Sequence, residues 1–359
     1  MPSKIPVKNI YYLLCYSWNT LAEGDLVDVS VVDSTELADL YASVLVAGTN
    51  HILRRGLNQE YETQESDLAA IRGRIDVATS ARKQLLQHGK ARCVYDELSV
   101  NTLPNRLIKS TVRHLASVPN LDGSLRKQLR LLYRELGGID DIALTRLAFR
   151  RVQLRRNARF YKFLLSICEV VAGSWLIDET TGEHRFRDFM RDPKKMARLY
   201  ENFILNFFRI ERPDLDVRKE KIKWAASSVD DDMLIYLPGM ETDISIRDGD
   251  RTLIIDAKYY QQMFSSYYES ESIHSSNLYQ VFAYLKNLEE RGGADAQADG
   301  MLLYPVVDQH VRLKYEIQGH GVSICTIDLA ADWSDLRNEL LDLVSSYGQP
   351  QVLEVVGQS

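Results

Sequence analysis

The sequence predicts an α/β protein in two parts: a mixed α/β region over residues 1–180 and a more regular helix-and-strand domain over residues 181–359. Three observations carry this. Apolar residues recur at helical spacing in segments scattered along the whole chain. Short alternating or continuously apolar runs lie between them, the clearest being METDISIR and TLIIDAKYY at 240–247 and 252–260. Asp248-Gly249-Asp250 separates those two runs and reads as the tight turn of a hairpin.

In chain order, IPVKNIYYLLCYSWNTL is an apolar core helix rich in aromatics, and residues 34–57 form a second helix that Gly56 terminates. Residues 59–78 change character, with short strand-like pieces broken by polar runs. Arg72-Gly73-Arg74 stands among them, either a solvated turn or a tip presented to an acidic or phosphate-bearing partner. Residues 88–100 read as a pairing strand, 101–117 and 122–136 as amphipathic helices, the second ended by Gly137-Gly138. From Asp141 to Glu169 no acidic residue intervenes. Arg151, Arg155 and Arg159 would line one face of a helix there, as a solvated basic face, a DNA phosphate contact or a dock for an acidic subunit. A helix with proline in its first turn starts at Pro193, a strand at 215–226 precedes the hairpin, and a polar loop with His274 follows it. The remainder reads as a helix over SNLYQVFAYLKNLEER, three strands and a closing helix over 333–348.

With 359 residues, ordinary apolar content and no run long enough to span a bilayer, the chain is expected to be cytoplasmic, without membrane contact. Its four cysteines lack a C-x-x-C pair and read as reduced core residues. No P-loop, H-E-x-x-H or G-x-S-x-G motif is present. The net charge of −6 means that any contact with nucleic acid relies on local positive charge or on a partner that holds the nucleic acid.

The chemistry concentrates at the hairpin. Asp256 and Lys258 are two apart at the end of an apolar strand and point the same way, and Asp243 lies opposite them if the register allows. Two carboxylates and the Ala257 carbonyl form a hard oxygen set of the kind Mg²⁺ prefers, beside an ammonium that can orient water or steady phosphate charge.

Asp243…Asp256-Ala257-Lys258 resembles the D…D-x-K arrangement of the PD-(D/E)xK nuclease superfamily. That resemblance implies a restriction-endonuclease-like C-terminal domain. It implies Asp243, Asp256 and Lys258 as catalytic residues, with the two aspartates holding Mg²⁺. Glu201, on the helix before the sheet, is implied as a further metal ligand, against the alternative of a surface glutamate. Gln280 and Tyr284 match the Q-x-x-x-Y spacing of the RecB-like branch, where such side chains approach the DNA or the active-site residues; the alternative is a pair on a helix surface.

A closer resemblance spans nearly the whole chain. IPVKNIYYLLCYSW, RGRID at 72–76, NRLIKST at 105–111, RFYKF at 159–163, METDISI, IIDAKYY and NLYQVFAYL together resemble the McrC family, nuclease subunits of McrBC modification-dependent restriction systems. This implies a Mg²⁺-dependent DNA endonuclease subunit that stimulates a hexameric McrB-like AAA+ GTPase, which recognises methylated cytosine and delivers methylated DNA. The N-terminal region, 1–180, would bind the ring, with Arg72 and Arg74 as candidate contacts; Arg151, Arg155, Arg159 and Tyr284 are candidate DNA contacts. Two such complexes can pair to cut both strands. The competing reading is a non-catalytic activator with a degenerate nuclease fold.

Overall fold

The computed structural model describes residues 5–25, 36–155, 158–177, 184–186, 192–227, 231–259, 264–267, 270–306 and 310–345. They fall into two compact units, one of Glu36–Arg187, the other of Met1–Asp25 together with Asp188–Ser359. The first helix belongs to the second of them, apart from the rest of the N-terminal region. That helix, α1 (Val7–Ser17), precedes a short turn of helix, α2 (Leu21–Gly24).

In the Glu36–Arg187 unit, α3 (Leu37–Arg55) ends at Gly56 as expected. A three-stranded antiparallel sheet follows from β1 (Glu60–Leu68), β2 (Arg74–Ile75) and β3 (Ala91–Ser99), ordered β1-β3-β2. Where short pieces were expected, β1 is one continuous strand. Its polar residues are tolerated because β3 pairs it along its full length, Glu60 opposite Ser99 through Leu68 opposite Ala91. After β2, where strand-like pieces were expected to continue to residue 78, the chain turns into a helix, α4 (Val77–Arg82), because Asp76 caps it by accepting from the Thr79 N–H at 3.0 Å. A bundle of α5 (Leu103–Ala116), α6 (Gly123–Glu135), α7 (Arg146–Arg150) and α8 (Arg159–Gly173) joins α3, burying Tyr41, Leu45, Leu107, Val112, Leu129, Phe163 and Ile167. Asn105 of α5 pins this unit, donating to the Asn58 and Val100 carbonyls and accepting from the Tyr161 hydroxyl at 2.9 Å. A short ribbon of β4 (Trp175–Ile177) and β5 (His184–Phe186) completes it.

The turn before β2 has a sharp requirement. Gly73 sits at φ +68°, and a methyl there would lie 2.4 Å from the Val94 carbonyl oxygen and 2.7 Å from Tyr95 Cβ. Gly73→Ala is therefore expected to destabilise this unit by about 2–3 kcal/mol, from left-handed strain plus the clash. A denaturant titration unchanged by the substitution would mean that the turn relaxes freely.

The second unit is a mixed sheet between helices. α9 (Pro193–Glu211) starts with Asp192 as N-cap and Pro193 in its first turn. The strands are β6 (Asp216–Arg218), β7 (Lys221–Ile222), β8 (Met240–Glu241), β9 (Ile244–Asp248), β10 (Arg251–Ala257), β11 (Phe264–Tyr267), β12 (Ser270–Ile273), β13 (Asp299–Pro305), β14 (Arg312–Ile317) and β15 (His320–Ile327), with α10 (Ser275–Glu289) before β13 and α11 (Trp333–Ser345) last. The six-stranded sheet runs β14-β15-β13-β10-β9-β6, with β10, β13 and β15 mutually parallel. The helix-bearing connection from β10 through α10 to β13 is what a parallel neighbour requires.

β10 and β13 are buried along nearly their whole length, so both read as apolar runs rather than alternating ones. α10 covers one face, placing Val281, Leu285 and Leu288 on Ile254, Leu302 and Ile324. It approaches so closely that a methyl on Gly300 would lie 2.5 Å from Val281. α1 packs on α9: Tyr16 rests on Phe203 and Phe207, and its hydroxyl donates to Glu211. The Asn9 amide donates to the Leu329 and Ala331 carbonyls, and Tyr12 stacks on Trp333 at 4.3 Å.

Two expectations change in detail. The strand at 215–226 is broken at Lys219-Glu220, where Thr242 replaces the ladder: its hydroxyl accepts from the Glu220 N–H at 3.0 Å and its N–H donates to the Glu220 carbonyl at 2.9 Å. The expected plain loop after β10 contains the β11–β12 hairpin; Tyr260 and part of that loop lie outside the described residues. No described helix is long and apolar enough to cross a membrane.

Candidate active site

The hairpin register decides whether the acidic residues meet. Asp248 pairs with Arg251 and Ile244 with Ile255, so the antiparallel ladder carries Asp243 to the position opposite Asp256. There the backbone pairing stops and a side chain takes over: Asp243 Oδ2 accepts from the Ala257 N–H at 3.0 Å. Beyond Ala257, the Lys258 N–H donates to the Leu303 carbonyl at 3.0 Å, so β13 holds the backbone at the point where the D-x-K residues sit.

Asp256 is fully buried at the end of β10, and its carboxylate meets the Lys258 ammonium at 2.9 Å. Among the described residues, neither Asp256 oxygen accepts a hydrogen bond of good geometry, an unusual condition for a buried carboxylate. Its pKa is pushed up to about 6. Burial is the main cause, the Lys258 charge opposes it, and the neighbouring Asp243 carboxyl adds to it. Glu201 of α9 is half-buried nearby, 3.9 Å from Lys219, and its pKa is also raised. Burial leads there too, followed by the charge of Asp243, with Lys219, Lys258 and Arg198 pulling the other way. The carboxyl groups of Asp243, Asp256 and Glu201 thus interact with one another and with the cationic side chains of Lys258, Lys219 and Arg198.

The oxygen chemistry fits Mg²⁺ in part. Among the described residues no group of three or more His, Cys, Asp or Glu side chains is close enough to form a complete metal shell. Two aspartates and a backbone carbonyl leave several positions to water or substrate, which is the usual condition of protein-bound Mg²⁺.

The other candidate residues divide. Gln280 and Tyr284 are brought together on α10, the Gln280 amide donating to the Tyr284 hydroxyl at 2.7 Å. Tyr284, however, is only 4 % exposed, and its hydroxyl donates to the Glu241 carbonyl at 2.9 Å. It is thereby a support that fixes β8 just ahead of Asp243, and the direct DNA contact expected of it is not where the structure places its side chain. His274, read from the sequence as part of a polar loop, occupies the N-cap position of α10.

Arg151, Arg155 and Arg159 do not share a helix face. Arg151 ends α7, Arg155 lies in irregular chain, and Arg159 opens α8, with 156–157 outside the described residues. A continuous helix would have stacked like charges at i, i+4, which is unfavourable, and the break separates them. Arg72 and Arg74 are both exposed. Arg72 lies over the Tyr95 ring at 4.2 Å and pairs with Glu97 at 3.3 Å, while Arg74 begins β2. Sequence reasoning passed over Lys219 and Thr242; the only available signal was their position just ahead of β7 and of Asp243.

Known proteins place the chain in a lineage. Residues 8–305 match the family described as McrBC 5-methylcytosine restriction system component. The chain is 38% identical over 343 residues to the Type IV methyl-directed restriction enzyme EcoKMcrBC of Escherichia coli strain K12, covering 96% of this chain and 98% of that protein. A chain from the refined half-complex of the tetradecameric assembly of Thermococcus gammatolerans McrB AAA+ hexamers with bound McrC superposes at a TM-score of 0.60 and 17% identity. The superposition covers 95% of this chain and 77% of that one, a likeness of fold. The extent of the first two matches decides the matter: the chain belongs to the McrBC 5-methylcytosine restriction system component family.

Proposed function

We propose that this protein is the DNA endonuclease subunit of a GTP-dependent, 5-methylcytosine-directed restriction complex and that it stimulates the GTPase of an AAA+ partner. The observation that carries the reading is the meeting of Asp243 with the buried Asp256–Lys258 pair at the end of β10. Asp243 and Asp256, with the Ala257 carbonyl, would hold Mg²⁺, and Glu201 would contribute a further ligand through water. Bound there, the cation supplies a lowered pKa for coordinated water and neutralises phosphate charge.

The chain's own groups do the remaining work. Asp243 spends one oxygen on the Ala257 N–H, which fixes its carboxylate over Asp256. Lys258 Nζ, 2.9 Å from Asp256, holds that carboxylate ionised and presents N–H donors to a water or a phosphate oxygen. Gln280 is held by donating its amide to the Tyr284 hydroxyl, while Tyr284 stiffens the Glu241–Asp243 backbone.

The partner follows from family membership and from the Thermococcus assembly, in which McrC is bound to McrB AAA+ hexamers. The test is cleavage of methylated and unmethylated plasmid with Mg²⁺, with and without GTP and the AAA+ partner. Cutting only with methylation, GTP and partner together is expected; partner GTPase stimulation without any cutting would favour the non-catalytic activator. Replacing Arg72 and Arg74 by Ala is expected to lower partner GTP turnover about tenfold, the loss of one or two interface contacts, with the nuclease unit intact. Unchanged turnover would remove those arginines from the interface.

A further inference from the structure

The strand next to the carboxylates carries a charge pattern that the proposed cleavage does not use. The alternation is interrupted at the Lys219-Glu220 break, and on the β7 side Lys221 and Lys223, two apart, share a face. Lys219, Lys221 and Lys223 are all exposed, while Ile222 between them is buried under α10 and Glu220 turns away to Arg247 at 2.9 Å and Arg291 at 2.6 Å. Asp216 is matched by Arg218 at 3.1 Å. The acids of this strand are therefore already neutralised. Glu241 stands across the ladder from Lys221, but among the described residues no ion pair engages Lys221 or Lys223. The stripe starts at the site, because Lys219 lies 3.9 Å from Glu201.

Directly after Lys223 the chain carries Trp224, which is hydrogen-bonded to the segment that holds Tyr236. Trp224 is 38% exposed, and its indole N–H donates to the Pro238 carbonyl at 2.6 Å, which fixes the ring. Tyr236, in the connection between β7 and β8 that also carries Asp230, Asp231 and Asp232, is 83% exposed. In a protein of net charge −6, a local row of cations ending in exposed rings is the combination that binds single-stranded nucleic acid: phosphates along the lysines, bases on the π-faces. Alternate strand residues recur at about 6.6 Å, a repeat comparable with that of successive phosphates in an extended strand.

We propose that the strip from Lys219 through Lys221 and Lys223 to Trp224 and Tyr236 binds the backbone of the nucleic-acid strand that enters the Asp243–Asp256 site, with an unstacked base resting on an exposed ring. The inference rests on the nuclease reading for its direction, since the strip is defined by where it meets the carboxylates. An intact duplex would engage the lysines and leave the rings without a base.

The experiment uses the full chain in divalent-free buffer with labelled single-stranded and duplex oligonucleotides, followed by anisotropy over a salt series. Lys221→Ala with Lys223→Ala is expected to reduce the slope of log affinity against log salt by about 1.4 for the single strand, at about 0.7 per contact, and Lys→Arg at both positions to restore it. Tyr236→Ala, a fully surface change, is expected to weaken single-strand binding about tenfold and to leave duplex binding unaltered. An unchanged salt slope, equal loss for strand and duplex on removing Tyr236, or no binding by the wild type overturns the strip. Plasmid cleavage with the AAA+ partner reports on the nuclease reading separately: cutting with an unchanged slope sinks the strip alone, and altered slopes without any cutting sink the nuclease reading alone.

Discussion

Asp256→Asn is expected to abolish DNA cleavage, by on the order of 10³-fold or more, and at the same time to make the metal-free protein more stable at pH 8. Both effects follow from one fact: a fully buried carboxylate held at a pKa of about 6 instead of its ordinary 3.8. The folded state prefers the protonated acid, so between those two values it binds more protons than the unfolded chain, and stability falls as pH rises. Below pH 3.8 the acid is protonated in both states and Asn gains nothing. Above about pH 6 the penalty is complete, and the gap between the two values corresponds to about 3 kcal/mol, an upper figure for the gain from Asn. Denaturant titrations of both proteins in chelator across this range, beside plasmid cleavage with Mg²⁺ and partner, measure it. Retained cutting would remove Asp256 from the reaction, and equal stability at pH 8 would mean that Asp256 is not strained in the metal-free fold.

Lys258→Met carries the second large effect, with the opposite sign for stability. The ammonium 2.9 Å from Asp256 is the group that permits a buried charge there. Its removal is expected to cost about 3 kcal/mol at pH 8, as truncating one partner of a buried ion pair does, and progressively less as Asp256 is protonated toward lower pH. Cleavage should fall by on the order of 10³-fold, since the donor beside the reacting water or phosphate is gone. The double variant Asp256→Asn/Lys258→Met separates the two effects, because with no carboxylate to compensate the stability should return while cleavage stays lost. A double variant as unstable as Lys258→Met alone would mean that Lys258 supports the fold through packing and not through Asp256.

The candidate site was legible because its logic is local. The two-residue spacing of Asp256 and Lys258 fixes a shared face on any strand, and the Asp248-Gly249-Asp250 turn sets a register that brings Asp243 opposite Asp256. The buried run TLIIDA likewise announced a central strand. Tyr284 was harder to read, because i, i+4 spacing puts it beside Gln280 whether the pair faces solvent or core. Only the packing of α10 on β8 and β10 shows that its hydroxyl is spent on Glu241. The arginines at 151, 155 and 159 misled because periodicity cannot see a helix break that like charges and tertiary packing favour.

What the sequence determined by itself is therefore the longer helices, the central strands and the chemistry at the end of one hairpin, all governed by contacts a few residues apart. Only the tertiary structure decided that α1 joins the sheet-bearing unit through Asn9, Tyr12 and Tyr16, that Asp256 is sealed from solvent, and that Lys219 comes to lie beside Glu201. Each of these depends on partners distant in sequence, from about 18 residues for Lys219 and Glu201 to hundreds for Asn9 and Leu329, and burial, the force that sets them, has no local signature in the chain.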